Sequence, residues 1–269
     1  MEGEIFKVEL EDGVACCSMN SPEDMNALSL KLGYPMVEGL TRVLEDESVR
    51  VIVLRGEGGH FCSGADLSLL GENLDPVFLN QSMTLLAEVI LRLYEGPKPV
   101  ITEVDGFAVG GGLGLALASD ITYATERALF CMGFVRIAAA PDMGSSFFLA
   151  ERVGIARAKE MAFTGRMVGA AEALEMGMVN RVVEHERISR EVMDLAREIA
   201  GRSPETISTT KHMLNRSRLL ELRTVLGFEC SVQPVMLLSE EHRAAVRGIL
   251  RRWERGLGAR ETTPPAEEE

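Results

Sequence analysis

The sequence predicts an α/β protein with a largely parallel sheet, and three observations carry that prediction. Continuous β-branched runs fall at residues 49–54 and 98–104, helical spacing separates them at 75–94, and from residue 188 onward the chain reads as helix. Uniformly apolar strands are those buried on both faces, and their alternation with helices implies parallel pairing. Element by element, 5–10 and 14–19 are short apolar-rich segments around Glu11-Asp12-Gly13, a hairpin signal. A helix is predicted over 30–45, the strand 49–54 ends in a glycine-rich loop at 56–59, and the strand 98–104 leads into Gly106-Phe107-Ala108-Val109-Gly110-Gly111-Gly112. A small-residue helix then reaches 119, strands follow at 120–124 and 129–131, and one further strand is expected at 179–183. Helices are predicted at 188–201, 205–217, 219–238 and 240–256. Residues 1–200 are therefore expected to form the core, 201–257 a helical appendage, and 258–269 (GARETTPPAEEE) a tail disordered by composition.

Composition narrows the partners. Apolar residues make up 46% of the 269, enough for a sizeable core, and the formal charge of −13 argues against nucleic acid and anionic membrane, which need a basic face. The five cysteines are odd in number, Cys16 and Cys17 are adjacent, and no zinc-type spacing occurs. A reduced, cytoplasmic protein without a metal site is expected. The acidic, alternating N-terminus does not read as a signal peptide, and the uncharged run 107–119 is too short to span a bilayer.

Two glycine-bearing loops follow predicted strands: His60-Phe61-Cys62-Ser63-Gly64-Ala65-Asp66-Leu67 and 106–114. Each leaves backbone N–H groups at a strand end, and the second opens a helix, whose N-terminus favours negative charge. Converging N–H donors are what a developing oxyanion requires, although tight turns needing positive φ account for the same glycines. No Lys-Ser/Thr follows Gly112, so this is not a phosphate loop, and the dinucleotide spacing is absent.

In order along the chain stand Asn20-Ser-Pro-Glu-Asp-Met-Asn-Ala-Leu28, Phe61-Cys-Ser-Gly-Ala-Asp-Leu67, Lys98-Pro-Val-Ile, Asp105-Gly-Phe-Ala-Val-Gly-Gly-Gly112 and Ala118-Ser-Asp120. As an ordered set they resemble the crotonase superfamily of enoyl-CoA hydratases and isomerases, over about residues 5–255. The resemblance implies a spiral of repeated ββα turns, a C-terminal helical trimerisation region giving a homotrimer or hexamer, and coenzyme A thioester substrates with no further cofactor. It places the oxyanion hole at the amides of Ala65 and Gly111. It places the coenzyme A site along Met25, Ala27, Ser63, Ala65, Asp66 and Leu67, with Phe107, Gly110 and Gly111 opposite. Many relatives carry lysine where this chain has Asp24, a departure at one cofactor contact.

Other departures bear on the chemistry. The two water-activating glutamates of a hydratase would fall at Gly114 and Phe134, and neither replacement can transfer a proton. A carboxylate stands instead at Asp142, at the end of Phe134-Val-Arg-Ile-Ala-Ala-Ala-Pro-Asp142 and upstream of Val153-Gly154. This pattern resembles the ring-epoxide isomerases of phenylacetate breakdown and the Δ3,Δ2-enoyl-CoA isomerases, which implies Asp142 as the acid–base. Glu151 stands where those relatives often have arginine. The substrate pocket is then expected at Gly114, Phe134, Ile137, Ala138 and Pro141, an apolar setting that raises a carboxyl pKa. Asp142 also fits an N-cap for a helix beginning near Gly144.

Three alternatives remain open on sequence: residual hydration, attack by Asp142 on an aromatic ring as in 4-chlorobenzoyl-CoA dehalogenase, and an acyl-CoA-binding subunit without turnover. The dehalogenase has a tryptophan where Phe134 stands, and here Trp253 is distant in sequence. His60 reads as a loop residue, Cys62 and Cys131 as small buried apolar residues, and Met161, Met167, Met176 and Met178 as core. The arginines at 243, 247, 251, 252 and 255 read as a solvated helix face, whose end approaches coenzyme A phosphates in the family.

Overall fold

The computed structural model describes residues 4–70 and 74–254, with Ser217 and Glu254 described by their backbone alone. The predicted tail at 258–269 and Arg255 lie outside the described residues. The chain opens with the hairpin β1 (Phe6–Glu11) and β2 (Val14–Met19), turned by Asp12 and Gly13 at φ 51° and 78°. Two successive positive φ angles give the twist that matches paired strands, which explains the Asp-Gly dipeptide. Then β3 (Val51–Gly56), β4 (Val100–Val104), β6 (Ile121–Thr125) and β9 (Arg181–Val183) add in parallel, giving the order β1-β2-β3-β4-β6-β9. Every residue of β2 and of β4 is buried. The reason is that both faces are covered. Ala15, Cys17, Ile52 and Leu54 pack toward α1 (Leu30–Glu45) and α2 (Pro76–Glu95), while Val14, Val51 and Val53 pack under α7 (Ile188–Ala200).

A second sheet sits beside the first. It joins β5 (Phe107–Val109) to β7 (Leu129–Cys131) in parallel and β7 to β8 (Met167–Gly169) antiparallel. The sequence places 107–109 within a loop and 167–169 in helical territory. Three-residue strands are too short for any periodicity to show, and only pairing with β7 defines them. The helices that follow are α3 (Gly111–Leu117), wholly buried, then α4 (Ser145–Val153), α5 (Ile155–Thr164) and α6 (Ala170–Glu175).

The C-terminal part is also simpler than predicted. Residues 205–217 and 219–238 are not two helices but one, α8 (Pro204–Leu237), followed by α9 (Glu240–Glu254). No glycine or proline stands near Arg218 to break it. Its start is capped by Ser203, whose hydroxyl accepts from the Thr206 N–H at 3.3 Å. The helix is about 50 Å long, and its first half is pinned where Lys211 donates to Leu93 O (2.8 Å) and Lys98 O (2.9 Å) and pairs with Asp120 at 2.8 Å. The inward stripe is Leu222, Leu226, Glu229, Gln233 and Leu237. The apolar residues of this helix are divided: Leu237 is buried in its own chain, whereas Phe228 and Val235, each 68% exposed, face out with Met213, Leu214 and Leu220. No helix among the described residues is long and apolar enough to cross a membrane.

Candidate active site

The two strand-end loops meet side by side. Cys62 N–H donates to Phe107 O (2.8 Å) and Val109 N–H to Cys62 O (3.1 Å), which stitches the first loop to β5. One step on, Leu28 N–H donates to Gly64 O (2.7 Å) and Asp66 N–H to Leu28 O (3.1 Å). That ladder uses the Gly64 carbonyl and the Asp66 N–H, and leaves the Ala65 N–H without a backbone acceptor among the described residues. Across from it, Gly110 N–H donates to Cys131 O at 2.8 Å and Gly111 begins α3. A first helical residue has no intrahelical acceptor, so the Gly111 N–H is also free of the ladder. Gly64 must be glycine: its φ is +91°, and a Cβ there would lie 2.7 Å from Val109 O.

A third strand-end turn is joined by Asn26, fully buried at φ 55°. Its carbonyl accepts from Ser21 N–H (2.8 Å) and its amide donates to Glu57 O (2.9 Å) and His60 O (2.7 Å). This one side chain ties the turn carrying Met25 to the first loop. His60 lies flat against Phe107, with ring centroids 4.8 Å apart, and burial lowers its pKa.

Residues 133–146 supply the other wall. Gly133–Ile137 form a single 3-10 turn that ends at Ala138, φ 48°, and the chain crosses to α4 through Met143 and Gly144 at φ 55° and 65°. Backbone held outside the favoured regions concentrates at functional sites. Asp142 sits in this crossing, 8% exposed. Its side chain does not cap α4, because the N-cap is Gly144 and no side-chain cap bond is made there. Instead its Oδ2 accepts from Gln233 Nε2 at 3.1 Å. Its Oδ1 points to Gly111, where a Cβ would stand 3.1 Å away. Burial raises the Asp142 pKa to about 6, against the opposing pull of the Gln233 hydrogen bond.

These parts enclose one cavity of about 680 Å³. Of the coenzyme A positions implied by the resemblance, Met25, Ser63, Ala65, Asp66 and Leu67 line it from one side. Phe107, Gly110 and Gly111 line it from β5 and α3, and Phe134, Ile137 and Asp142 from the opposite wall. Ala27, Gly114, Ala138 and Pro141 are not among its lining residues. Ala27 turns away with its N–H donating to Asp24 O at 3.1 Å. Gly114 is not a pocket position at all: a Cβ there would lie 2.5 Å from Met143 O, so the space where a hydratase glutamate would project is filled by main chain. Ala138 and Pro141 shape the crossing rather than the wall.

Several lining residues were not foreseen. Leu79 and Met83 come from α2, Gln233 and Leu237 from α8, and Arg252 and Trp253 from α9, so the helical C-terminus closes the cavity. Trp253 thus reaches the site despite its distance in sequence. The signal for Gln233 was present, since a glutamine falls in the apolar stripe of α8 at a position that otherwise holds leucine. The same reading applies to Glu229, whose carboxylate accepts from Gly144 N–H (2.9 Å) and Ser146 Oγ–H (3.2 Å). His242 of α9 is buried and donates from Nδ1 to Ile137 O at 2.6 Å. Cys62 is buried with its thiol pushed up to about 12, and burial also raises Cys131, so neither is a thiolate at neutral pH. No group of three or more histidine, cysteine or acidic side chains suited to a metal ion occurs among the described residues.

Fold and site together define an enzyme built on a ββα spiral. The profile of the enoyl-CoA hydratase/isomerase family matches residues 9–256, and the chain belongs to that family, the crotonase superfamily. It is 41% identical to the probable enoyl-CoA hydratase echA12 of Mycobacterium bovis, over 75% of this chain and 73% of that protein. It is 32% identical to the 1,2-epoxyphenylacetyl-CoA isomerase of Escherichia coli, over 92% and 95%. Among solved structures, an enoyl-CoA hydratase/isomerase from Xanthobacter autotrophicus Py2 superposes with a TM-score of 0.87 at 28% identity, covering 98% of this chain and 99% of that one.

Proposed function

We propose that this chain is an acyl-CoA isomerase that moves a double bond, or opens a ring-epoxide valence isomer, next to a thioester. One observation carries the reading: a buried carboxylate, Asp142, has one oxygen held by Gln233 and the other turned to Gly111 in the cavity wall. Asp142 Oδ1 takes a proton from the carbon α to the thioester. The electron pair moves into the thioester carbonyl, whose oxygen becomes negative and is held by the N–H groups of Ala65 and Gly111. The protonated Asp142 then returns the proton at the γ carbon, and the double bond enters conjugation. A group titrating near neutrality suits both halves of that cycle, and burial supplies it here. The coenzyme A moiety lies along Met25, Ser63 and Asp66–Leu67, and no further cofactor takes part.

Hydration by a glutamate pair is disfavoured because no side chain fits at 114. The exposed stripe of Met213, Leu214, Leu220, Phe228 and Val235 supports a homotrimer or a multiple of it. The test is incubation with 3-enoyl-, 2-enoyl- and ring-epoxide acyl-CoAs in deuterated water, followed by mass spectrometry. Isomerised product is expected from the 3-enoyl or ring-epoxide substrate, carrying deuterium to the extent that protonated Asp142 exchanges with solvent before it returns the proton. Rapid hydration of the 2-enoyl thioester with no isomerisation contradicts the proposal.

A further inference from the structure

The turn that carries Asp142 is held almost entirely from the C-terminal helices. Four contacts from two residues of α8 reach it. Gln233 Oε1 accepts from Ala140 N–H at 2.7 Å and Gln233 Nε2 donates to Asp142 Oδ2 at 3.1 Å. Glu229 accepts from Gly144 N–H at 2.9 Å and from Ser146 Oγ–H at 3.2 Å. The two lie four residues apart on one helix face, so they address the same side of the turn. They bind the chain two residues before Asp142, at Asp142, two residues after it and four after it.

We propose that Glu229 and Gln233 are positioning residues for the Asp142 base, Gln233 selecting which carboxylate oxygen faces the substrate and Glu229 fixing the turn behind it. The proposal rests on the reading of Asp142 as the proton carrier. Gln233 binds one oxygen only, which leaves Oδ1 for the substrate beside Gly111. Met143 keeps φ 55°, a conformation that a residue other than glycine holds where its surroundings fix it. A second buried carboxyl so near the base is costly for mere packing, since burial and the charge of Asp142 raise Glu229 to about 7. The titratable groups facing the pair are Asp142, Glu229, Cys230 on α8 and Cys62 on the first loop, and both thiols are raised by burial. Of these four groups, the two carboxyls are the ones raised toward neutrality.

The experiment measures kcat, KM and the pH profile of kcat/KM for Gln233→Leu, Gln233→Glu, Glu229→Ala and Glu229→Gln, with Asp142→Asn alongside. Gln233→Leu and Glu229→Ala are expected to lower kcat by about 10- to 100-fold with KM changed by less than about 3-fold, as misplacement of a base does. Glu229→Gln keeps an acceptor for Gly144 N–H and should restore kcat to within about 3-fold of wild type. Its profile should lose the second ionisation, near 7 in the wild type. Gln233→Glu places a second carboxyl on Asp142 and should move the acidic limb to higher pH by about one unit or more. If the leucine and alanine variants fail to fold, the two near-isosteric variants decide through their pH profiles. Unchanged kcat and unchanged profiles, with Asp142→Asn inactive, overturn the positioning proposal alone. Turnover surviving in Asp142→Asn overturns the reading of Asp142 and this proposal with it.

Discussion

The loops at 62–65 and 109–111 offer main-chain amides to the cavity, whereas residues 133–146 offer a side chain, and the two regions are supported in different ways. The amides are set by backbone-to-backbone ladders, Cys62 with β5 and Leu28 with Gly64 and Asp66. Such positions need glycines and small residues and little else. The carboxylate of Asp142 is set by side chains 91 residues away in sequence, on a helix whose other face is exposed. An amide aimed by a ladder stays aimed when its neighbours change. A carboxylate aimed by remote hydrogen bonds depends on each of them.

Two glycines of α3, three residues apart, probe this difference most sharply. A Cβ at Gly114 would meet the Met143 carbonyl at 2.5 Å, which is main chain and cannot give way. A Cβ at Gly111 would meet side chains rather than main chain: Leu28 Cδ1 at 2.8 Å, Asp142 Oδ1 at 3.1 Å and Met143 Cγ at 3.1 Å. Gly114→Glu is therefore expected to abolish folding or expression rather than to create hydratase activity, as soluble yield and circular dichroism would show. Soluble Gly114→Glu with new hydration would contradict the placement of Met143. Gly111→Ala should keep the fold, with a loss of about 1–3 kcal/mol in stability, and lower turnover by about 100-fold through displacement of the carboxylate. Wild-type turnover in folded Gly111→Ala would mean that Asp142 does not work from that position.

A smaller effect separates the two regions by pH. The pKa values of Asp142 and Glu229 are raised to about 6 and about 7. The folded protein therefore holds protons there that the unfolded chain has already released. Their contribution to stability is full below the ordinary carboxylate range and is lost as pH rises through those values. Asp142→Asn removes the Asp142 share of that cost, so the variant should be more stable than wild type at pH 8, by on the order of 2 kcal/mol. The gap should close toward pH 4. Denaturant unfolding at several pH values measures it, and an asparagine variant less stable at pH 8 would mean that the anion is stabilised in the fold.

The same division explains how much was legible in the sequence. The hairpin, the parallel strands and both amide loops were readable because each rests on local pattern: Asp-Gly at positive φ, uniformly buried β2 and β4, glycine where backbone approaches backbone. Asp142 was readable as a carboxylate in apolar surroundings. Its partners were legible only in part: a glutamate and a glutamine interrupt an apolar stripe, but that this stripe faces inward onto Asp142 shows only once α8 is known to be one helix. Gly114 was misplaced for a related reason. Position along a motif said that a glutamate was missing, but only the packing of Met143 says that nothing could stand there. Trp253 and Arg252 reach the cavity through the fold of α9, which no local spacing encodes.

The account stands or falls on one carboxylate carrying the proton in both directions. Its most direct test is solvent deuterium exchange at the carbon α to the thioester, followed by mass spectrometry in wild type and in Asp142→Asn. The asparagine variant is nearly isosteric, so binding of the thioester should survive. Wild type should exchange readily, and exchange and isomerisation in the variant should fall together by about 10²–10⁴-fold. Full exchange in Asp142→Asn would contradict the account, because another group would then be the base.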